Sequence, residues 1–345
     1  MRCKINIVFY ICKIFLKKFL IMSKIIAIGN ALVDILTLLE NDQLLEDLRL
    51  PKGSMQLVSF EESEKVLKHT EGLNRFMVSG GSAANTIRAL AKLGVSTGYV
   101  GKVGNDNIGK FFADDIKKIG VFTKLINSDF PSGRAIALVS KDSERTFATY
   151  LGAASQMNAD EINELSFAGY DILHIEGYLV FNQYLIEKAM DMAFTNGLTI
   201  SLDLASYNVV QENLDFLKYL IDKYVNIVFS NEEESFAFTG KEPDKAIEKI
   251  SAMCDIAVVK LGAEGSMVKK GDKKYKVDAI KAKPIDTTGA GDYYAAGFLY
   301  GLINNKPLDV SAKYGSVLAG KVIEVVGTTL SENKWEEIRQ IIKTI

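Results

Sequence analysis

The stretch Asp286-Thr287-Thr288-Gly289-Ala290-Gly291-Asp292 places a turn of small residues between two carboxylates, directly before a segment that predicts a helix over 293–303. Small residues let backbone N–H groups approach a phosphate closely, and the N-terminus of a helix adds partial positive charge. Asp292 would then be placed to accept a proton from a hydroxyl group during phosphoryl transfer. The same pattern is also typical of an ordinary loop with an Asp at a helix start.

The composition is that of a globular protein with a large core. The chain has 345 residues, 48% of them hydrophobic, and its 41 basic and 43 acidic residues give a net charge of -2. This balance lacks the basic surface that nucleic acid or anionic lipid requires, so we expect neither as a partner. Three cysteines without C-x-x-C spacing indicate neither a disulfide framework nor a zinc site, and they favour a reducing cytoplasm.

The start of the chain differs from the rest. Residues 5–21 are mostly apolar, but three lysines make the segment too charged for a membrane span, and no small-residue cleavage site follows it. Because Met22 leads directly into an apolar strand, we expect 1–21 to be a non-native or disordered extension and 22–345 to form a single domain. A helix on a membrane surface is the alternative interpretation of the extension.

Short apolar runs alternate with helical patterns from Lys24 onward, as parallel β-α-β units require. The runs predict strands at 25–28, 99–103, 172–175, 199–204, 227–229 and 256–261. The helical patterns predict helices over 83–93, 108–119, 184–194, 215–224, 243–253, 311–325 and 332–342. Two regions interrupt the alternation, 36–76 and 132–151, and the second has a hairpin pattern. We expect them to form one small antiparallel β lid.

Two further segments place polar residues after predicted strands. In Gly80-Gly81-Ser82-Ala83-Ala84-Asn85 the paired glycines allow close approach of a ligand, and Asn85 lies one turn into the following helix. In Asn231-Glu232-Glu233-Glu234 the first and last residues can take an outer role at Mg²⁺, which prefers oxygen ligands. The first segment alone is equally typical of a strand-to-helix turn with a capping residue, and the second alone indicates only helix capping.

Three other kinds of site are poorly supported. Residues 315–321 fit the spacing of a P-loop, but Val322 replaces the hydroxyl residue that ligates Mg²⁺, and the segment is typical of a helix interior. No G-x-G-x-x-G motif follows the first strand, which argues against a nicotinamide-dependent dehydrogenase. His69 and His174, the only histidines, form neither a zinc set nor a hydrolase triad.

Taken in order, these segments resemble the ribokinase-like (PfkB) family of carbohydrate and nucleoside kinases over about residues 24–329. Gly29-Asn30-Ala31-Leu32-Val33-Asp34 resembles the family's first substrate-binding segment, and 80–85 and 286–292 resemble its two signatures. The resemblance implies an α/β fold, a three-layer α/β/α sandwich with a β lid. It also implies ATP as phosphoryl donor, Mg²⁺ as required ion and a hydroxyl group of a small molecule as acceptor.

The resemblance also implies roles for individual residues. Asp292 would be the catalytic base, and the backbone amides of Gly289, Ala290 and Gly291 would stabilise charge on the transferring phosphoryl group. The implied acceptor-binding residues are Asn30, Asp34, Gly80, Gly81, Asn85 and Arg145, and Arg145, on the lid hairpin, would approach either the acceptor or the phosphates. The implied ATP-binding residues are Asn231, Lys260, Gly262, Gly265, Thr288 and Ala319. Glu234, in an N-x-x-E motif with Asn231, would hold Mg²⁺ through water, and Asp286 matches a position that binds a monovalent cation such as K⁺ in some relatives.

Within the family, 29–34, 52–55 and 81–85 resemble the adenosine kinase branch most. The leading hypothesis is therefore a kinase that phosphorylates the 5′-hydroxyl of adenosine, and the alternative is a sugar kinase acting on ribose, fructose or a related carbohydrate. Phe147 and Tyr150 are candidates for stacking on a base, and equally for the core of the lid. A silent sensor is a third hypothesis, which the complete set of catalytic residues disfavours. We expect a monomer or a homodimer in the cytoplasm.

Overall fold

The structure, a computed structural model, describes residues 23–142 and 144–345, so the predicted extension over 1–21 lies outside the described residues. The strands are β1 (Lys24–Ile28), β2 (Leu32–Leu38), β3 (Met55–Leu57), β4 (Arg75–Gly80), β5 (Ser96–Gly104), β6 (Phe122–Ser128), β7 (Gly133–Val139), β8 (Arg145–Tyr150), β9 (Ile172–Glu176), β10 (Thr199–Asp203), β11 (Ile227–Asn231), β12 (Ile256–Lys260), β13 (Ser266–Lys270) and β14 (Lys273–Val277).

The α-helices are α1 (Gln43–Asp47), α2 (Phe60–His69), α3 (Ser82–Lys92), α4 (Asn107–Lys118), α5 (Gln183–Thr195), α6 (Tyr207–Glu212), α7 (Leu214–Tyr224), α8 (Glu232–Thr239), α9 (Pro243–Ser251), α10 (Ala290–Ile303), α11 (Leu308–Val322) and α12 (Glu332–Thr344). All the predicted helices and strands are present, with ends shifted by at most three residues. The P-loop-like segment 315–321 lies inside α11, so its rejection is confirmed. Among the described residues, no helix is long and apolar enough to span a membrane.

In the described part of the chain, nine strands form the large sheet, in the order β14-β13-β12-β11-β10-β9-β1-β5-β6. The strands from β12 to β6 in this order are parallel, and β13 and β14 add an antiparallel edge. Apolar side chains of the central strands are buried on both faces: Ile25 packs into one core cluster and Ile26 into the other. This double burial explains why the central strands appear in the sequence as continuous apolar runs.

Helices cover both faces of the large sheet. The core on one face takes buried side chains from α3, α4, α10, α11 and α12. The core on the other face takes them from α5, α6, α7, α8 and α9. The molecule is therefore a three-layer α/β/α sandwich with a separate small sheet, and the predicted fold class is confirmed.

The small sheet, in the order β3-β8-β7-β2-β4, is the lid. The predicted hairpin is confirmed, because β7 and β8 are antiparallel neighbours. The prediction that the whole lid is antiparallel is wrong, since β2 pairs with β7 and β3 with β8 in parallel. β2 follows β1 and β7 follows β6, so both strands leave the large sheet in the same direction. The hairpin pattern reveals only the partner that is adjacent in sequence.

The chain passes between the large layer and the lid four times, at 29–31, 81, 129–132 and 151. Because the first two crossings contain predicted acceptor-binding residues, these residues lie where the lid joins the sandwich. Helix α2 packs against one face of the lid sheet, where the Phe60 ring lies 5.5 Å from the Tyr150 ring. The opposite face of the lid is therefore the one available to the site.

Candidate active site

The carboxyl ends of β9 to β12 bring four polar side chains to one edge of the large sheet. In register, Glu176 is beside Asp203, and Asn231 is beside Lys260. Open parallel sheets bind their ligands beyond this edge. The sequence predictions include Asn231 and Lys260 but miss the two carboxylates, because an acidic residue that ends an apolar run has no distinctive signal.

The glycine turn leads directly into α10, which begins at Ala290. Gly289 has a left-handed φ of +75°, and a Cβ atom placed on it would lie 2.7 Å from Thr328 Cγ2. Glycine is therefore required at this position both for the backbone angle and for the space. The Ala290 amide donates to the Thr287 carbonyl at 3.1 Å, and the next amides of the first turn lie at the N-terminus of α10, where a helix can bind an anion.

Asp292, in the first turn of α10, faces the first turn of α3. Ser82 Oγ donates to Asp292 Oδ1 at 2.7 Å, and Asn85 Nδ2 donates to Oδ2 at 3.0 Å. Burial raises the pKa of Asp292 to about 6, against the two hydrogen bonds and the Lys260 charge, which favour the ionised form. The carboxylate is thus mainly ionised at neutral pH, and its basicity is closer to that of an effective general base than an exposed Asp offers.

Gly80 and Gly81 bring the end of β4 against the segment that follows β1. Gly81 has a φ of +95°, and a Cβ atom on it would lie 2.3 Å from the Asn30 carbonyl oxygen. A Cβ atom on Gly80 would lie 2.3 Å from the Asp34 carboxylate. The structure therefore brings together Asn30, Asp34 and the two glycines, with Asn85 one helical turn away.

The Asp34 carboxyl group lies in the same cleft as Asp292. Burial raises the pKa of Asp34 to about 7, and the Asp292 charge acts in the same direction, while the charges of Arg88 and Arg145 oppose the shift. Asp34 can therefore hold a proton near neutral pH. A ligand hydroxyl that donates to Asp34 would favour its ionised form.

Glu176, at the end of β9, is a buried carboxylate that the sequence reasoning misses. Its Oε1 accepts from Asn30 N at 2.8 Å and from Asn30 Nδ2 at 2.6 Å, and its Oε2 accepts from Ala83 N at 3.0 Å. A Cβ atom on Gly29 would lie 2.5 Å from this carboxylate, which explains the glycine. Burial raises the pKa of Glu176 to about 7. Glu176 thus fixes both an acceptor-binding residue and the start of α3.

Asn231 and Glu234 form a capping box at the start of α8. Asn231 Oδ1 accepts from Glu234 N, and the two Glu234 oxygens accept from Asn231 N and Nδ2, all at 2.8 Å. The Glu234 side chain is buried, and burial raises its pKa to about 7. The capping interpretation is therefore correct for both residues, and it leaves Glu234 beside the charged pair of Lys260 and Asp203.

Arg145 extends from the lid to the glycine turn. Its guanidinium lies 2.7 Å from Asp286 Oδ2, and its Nη1 donates to Thr288 Oγ1 at 3.3 Å. The same Asp286 oxygen accepts from Gly327 N at 2.7 Å, and Oδ1 accepts from Thr288 N at 3.0 Å. The groups around the Asp286 carboxylate are N–H donors and a guanidinium, which do not coordinate a cation. K⁺ could bind this carboxylate only after Arg145 had moved away. Arg145 therefore contacts the turn in this structure, and its charge also acts on the acceptor-binding residue Asp34.

The remaining residues predicted to bind ATP lie in the loop after β12 and in α11. Gly262, just after β12, has a φ of +52°, with open space where a Cβ atom would lie. Gly265 supports the loop, since a Cβ atom on it would lie 2.0 Å from the Val277 carbonyl oxygen. Ala319 is half-buried in α11. Of the predicted ATP-binding residues, Lys260 and Thr288 are those with contacts at the glycine turn.

Phe147 and Tyr150 project from opposite faces of the lid. Phe147 packs on Leu36, Val78 and Ala137. Register pairs Asp34 with Val78, so Phe147 shares its face of the sheet with Asp34. Tyr150 lies on the helix-covered face and belongs to the core of the lid. Of the two candidates for base stacking, only Phe147 faces the site.

Comparison with known proteins agrees with this geometry. The sequence model of the pfkB family carbohydrate kinases matches residues 53–335. An uncharacterized sugar kinase of Archaeoglobus fulgidus is 30% identical over 248 residues, covering 69% of this chain and 95% of the relative. A 5-dehydro-2-deoxygluconokinase of Bacillus subtilis is 26% identical over 298 residues, covering 82% of this chain and 91% of the relative. The crystal structure of adenosine kinase from Sinorhizobium meliloti superposes with a TM-score of 0.83 at 32% identity, covering 93% of this chain and all of the other.

The chain is a phosphotransferase with an alcohol group as acceptor, with a three-layer sandwich, a lid and a glycine turn beside a buried carboxylate. The chain belongs to the pfkB family of carbohydrate kinases. Proteins named sugar kinases and proteins named adenosine kinases are both similar to it.

Proposed function

We propose that this kinase transfers the γ-phosphoryl group of ATP to the 5′-hydroxyl of adenosine, as a purine salvage enzyme of the cytoplasm. The observation that carries the choice of adenosine is the apolar surface on the site-facing side of the lid. Register places Phe147 beside Met55, and Leu36 beside Phe76, on the face that carries Asp34. Met55 and Phe76 are more than half exposed, so this face has apolar area to cover a purine ring.

The ribose would occupy the polar side of the cleft. Asp34 can accept from a ribose hydroxyl, and the absence of a Cβ atom on Gly80 leaves room for the Asp34 carboxylate at this position. Asn85 already donates to Asp292, so an acceptor hydroxyl near Asn85 would lie beside the base. This arrangement supports a hydroxymethyl group of a ribosyl compound as the reacting group.

The chemical step follows from these positions. The acceptor hydroxyl loses its proton to Asp292 while its oxygen forms a bond to the γ-phosphorus of ATP. The bond from the γ-phosphorus to the oxygen that bridges to the β-phosphate breaks, and ADP leaves with the electron pair. The first-turn amide of Gly291 would stabilise charge on the oxygens of the transferring group, and the Ala290 amide would join it on leaving the Thr287 carbonyl.

Mg²⁺ would enter the site with ATP. Among the described residues, no three acidic, histidine or cysteine side chains converge as a ligand set. Glu234 and Asp203 lie beside Lys260, whose ammonium is close to Gly291 of the glycine turn. Two protein carboxylates fit an ion that keeps several waters and is held mainly by phosphates. Glu234 would contact such an ion through water. The bound ion would neutralise charge on the phosphates.

The alternative is a sugar kinase acting on ribose, fructose or a related carbohydrate. The observation that favours it is the packing of Phe147 on Leu36 and Val78, which leaves that side chain only partly exposed for a base. Similarity to kinases named for sugars supports the same alternative. Both acceptors use the same base and the same glycine turn.

Release of ADP from Mg-ATP, measured with adenosine, other nucleosides, ribose and fructose, tests the proposal. We expect the highest kcat/KM with adenosine. Phe147→Leu should lower kcat/KM for adenosine about tenfold and leave any ribose turnover unchanged, since it removes the ring that would stack on the base. Tyr150→Leu, on the opposite face of the lid, is the matched control. Turnover with a sugar alone would contradict the choice of adenosine and leave the base assignment intact.

A further inference from the structure

Lys260 crosses the carboxyl edge of the large sheet. It is the last residue of β12, yet its Nζ lies 2.9 Å from Asp203 Oδ2 on β10. β11 separates these two strands, so the lysine side chain extends over the end of β11, where Asn231 is its register neighbour. Such a path carries the ammonium away from its own strand and toward the centre of the site.

The ammonium group of Lys260 lies close to Gly291 in the glycine turn. A Cβ atom placed on Gly291 would lie 3.0 Å from Lys260 Nζ, so any side chain there would press on the ammonium. An ammonium has three N–H donors, and the hydrogen bond to Asp203 uses one of them. Among the described residues no second hydrogen-bond acceptor contacts this ammonium, so two donors are available to a phosphoryl group held at the turn.

Carboxylates surround the ammonium. Burial would lower the pKa of Lys260, but the charges of Asp203, Glu234 and Asp292 outweigh burial and raise this pKa above its ordinary value. Lys260 therefore remains positively charged throughout the neutral range. A fixed cation beside a phosphate-binding turn stabilises the charge that develops on a transferring phosphoryl group.

We propose that Lys260, oriented by Asp203, is a catalytic residue whose ammonium contacts the γ-phosphoryl group during its transfer at the 289–291 turn. The inference rests on the kinase activity of this site and not on the identity of the acceptor. Lys260 keeps its proton throughout: the acceptor proton goes to Asp292, the new P–O bond forms at the acceptor oxygen, and ADP takes the electron pair of the broken bond. The ammonium lowers the energy of the transition state by its charge alone.

A purely structural lysine would neutralise Asp203 and Glu234 and do nothing else. Lys260→Met and Lys260→Arg separate the two roles, with Lys102→Met as the matched control. Lys102 is also buried and paired, with its Nζ 2.7 Å from Glu161 Oε1, but it lies on β5 and outside the site. We expect Lys260→Met to lower kcat about 100-fold with the acceptor KM within threefold of wild type. Lys260→Arg should recover part of the loss, and Lys102→Met should leave kcat within twofold.

Two further readouts respond to charge at the phosphoryl group and not to folding. Small alkylamines should restore turnover to Lys260→Ala in a saturable manner and have no effect on Lys102→Ala. Binding of ADP with aluminium fluoride should weaken about 100-fold in Lys260→Met, while binding of ADP alone stays within threefold. A kcat within threefold of wild type, or equal weakening of the two ligands, would overturn the proposal. If wild type phosphorylates neither adenosine nor a sugar, the acceptor proposal fails, and the aluminium fluoride comparison still decides the role of Lys260.

Discussion

Asn85 donates its side-chain amide to Asp292 Oδ2 at 3.0 Å, which joins the first turn of α3 to the first turn of α10. Ser82 supplies a second hydrogen bond to the same carboxylate, and Thr86 Oγ1 donates to the Asp292 carbonyl oxygen at 3.1 Å. Two segments about 200 residues apart in the chain therefore fix one side chain. The orientation of the base depends on α3 as much as on the glycine turn.

Asp292→Asn should lower kcat by at least about 1,000-fold, because an amide does not accept the acceptor proton. Dissociation constants for adenosine and ATP should stay within about threefold of wild type, since Asn can still accept the Ser82 hydrogen bond. Steady-state kinetics and calorimetry measure the two effects. Asp309→Asn, in the first turn of the neighbouring helix α11, is the matched control. Turnover within tenfold of wild type would remove Asp292 as the base.

The logarithm of kcat at saturating acceptor, where a ligand hydroxyl holds Asp34 ionised, should fall with unit slope below about pH 6, because burial raises the pKa of Asp292 to about 6 and only the ionised form accepts a proton. Ser82→Ala removes a hydrogen bond that favours the ionised form, so the acidic limb should move to higher pH. A pH profile of both enzymes measures the shift. Ser59→Ala, which removes the cap of α2 in the lid, should leave the limb in place. A limb that is identical in Ser82→Ala would contradict this account.

The sequence predicts the half of the site that consists of local patterns. The turn 286–292 and the segment 80–85 stand out because closely spaced small residues have few structural explanations. Glu176 and Asp203 do not stand out, since each is a single carboxylate at the end of an apolar run. Their importance comes from strands that are neighbours in the sheet and distant in the chain, and one sequence carries no direct signal of that pairing.

The same limit applies to the lid. Its hairpin was predictable because β7 and β8 are joined by a short turn, but the parallel pairing of β2 with β7 joins residues about 100 positions apart. The contact of Arg145 with Asp286 is equally non-local. The resemblance placed Arg145 near the acceptor or the phosphates, and the structure shows that Asp286 is the carboxylate that Arg145 contacts.

Glu176 should make the free energy of unfolding depend on pH. Burial raises its pKa in the folded state from an ordinary value of 4.5 to about 7, so between these pH values the folded protein holds a proton that the unfolded chain releases. Stability should therefore fall as pH rises from about 4.5 to about 7. Glu176→Gln should reduce this fall by about 1 to 3 kcal/mol in urea unfolding at pH 5 and pH 8. Glu164→Gln, at an exposed position, is the control and should leave the fall in stability unchanged. An unchanged fall in Glu176→Gln would show that Glu176 does not titrate in this pH range.

Activity should change less than twofold when K⁺ is replaced by a bulky organic cation, because Arg145 already places a positive charge on Asp286. Arg145→Met should lower kcat about 10- to 100-fold and make turnover depend on K⁺, since the Asp286 carboxylate is then left without its cation. Initial rates over a K⁺ titration measure both effects. Lys141→Met, exposed on the lid hairpin, is the control. Strong K⁺ dependence in wild type would mean that the ion displaces Arg145.

The lid cannot be regarded as a detachable module. Because the chain passes between the lid and the sandwich four times, removing the lid would require rejoining the backbone at several places in the middle of the acceptor cleft. Recombination with a relative could not exchange the lid as one contiguous block of the gene. A new acceptor specificity in this scaffold would therefore arise through point substitutions on the lid surface, with Phe147 and its neighbours as the positions that decide it.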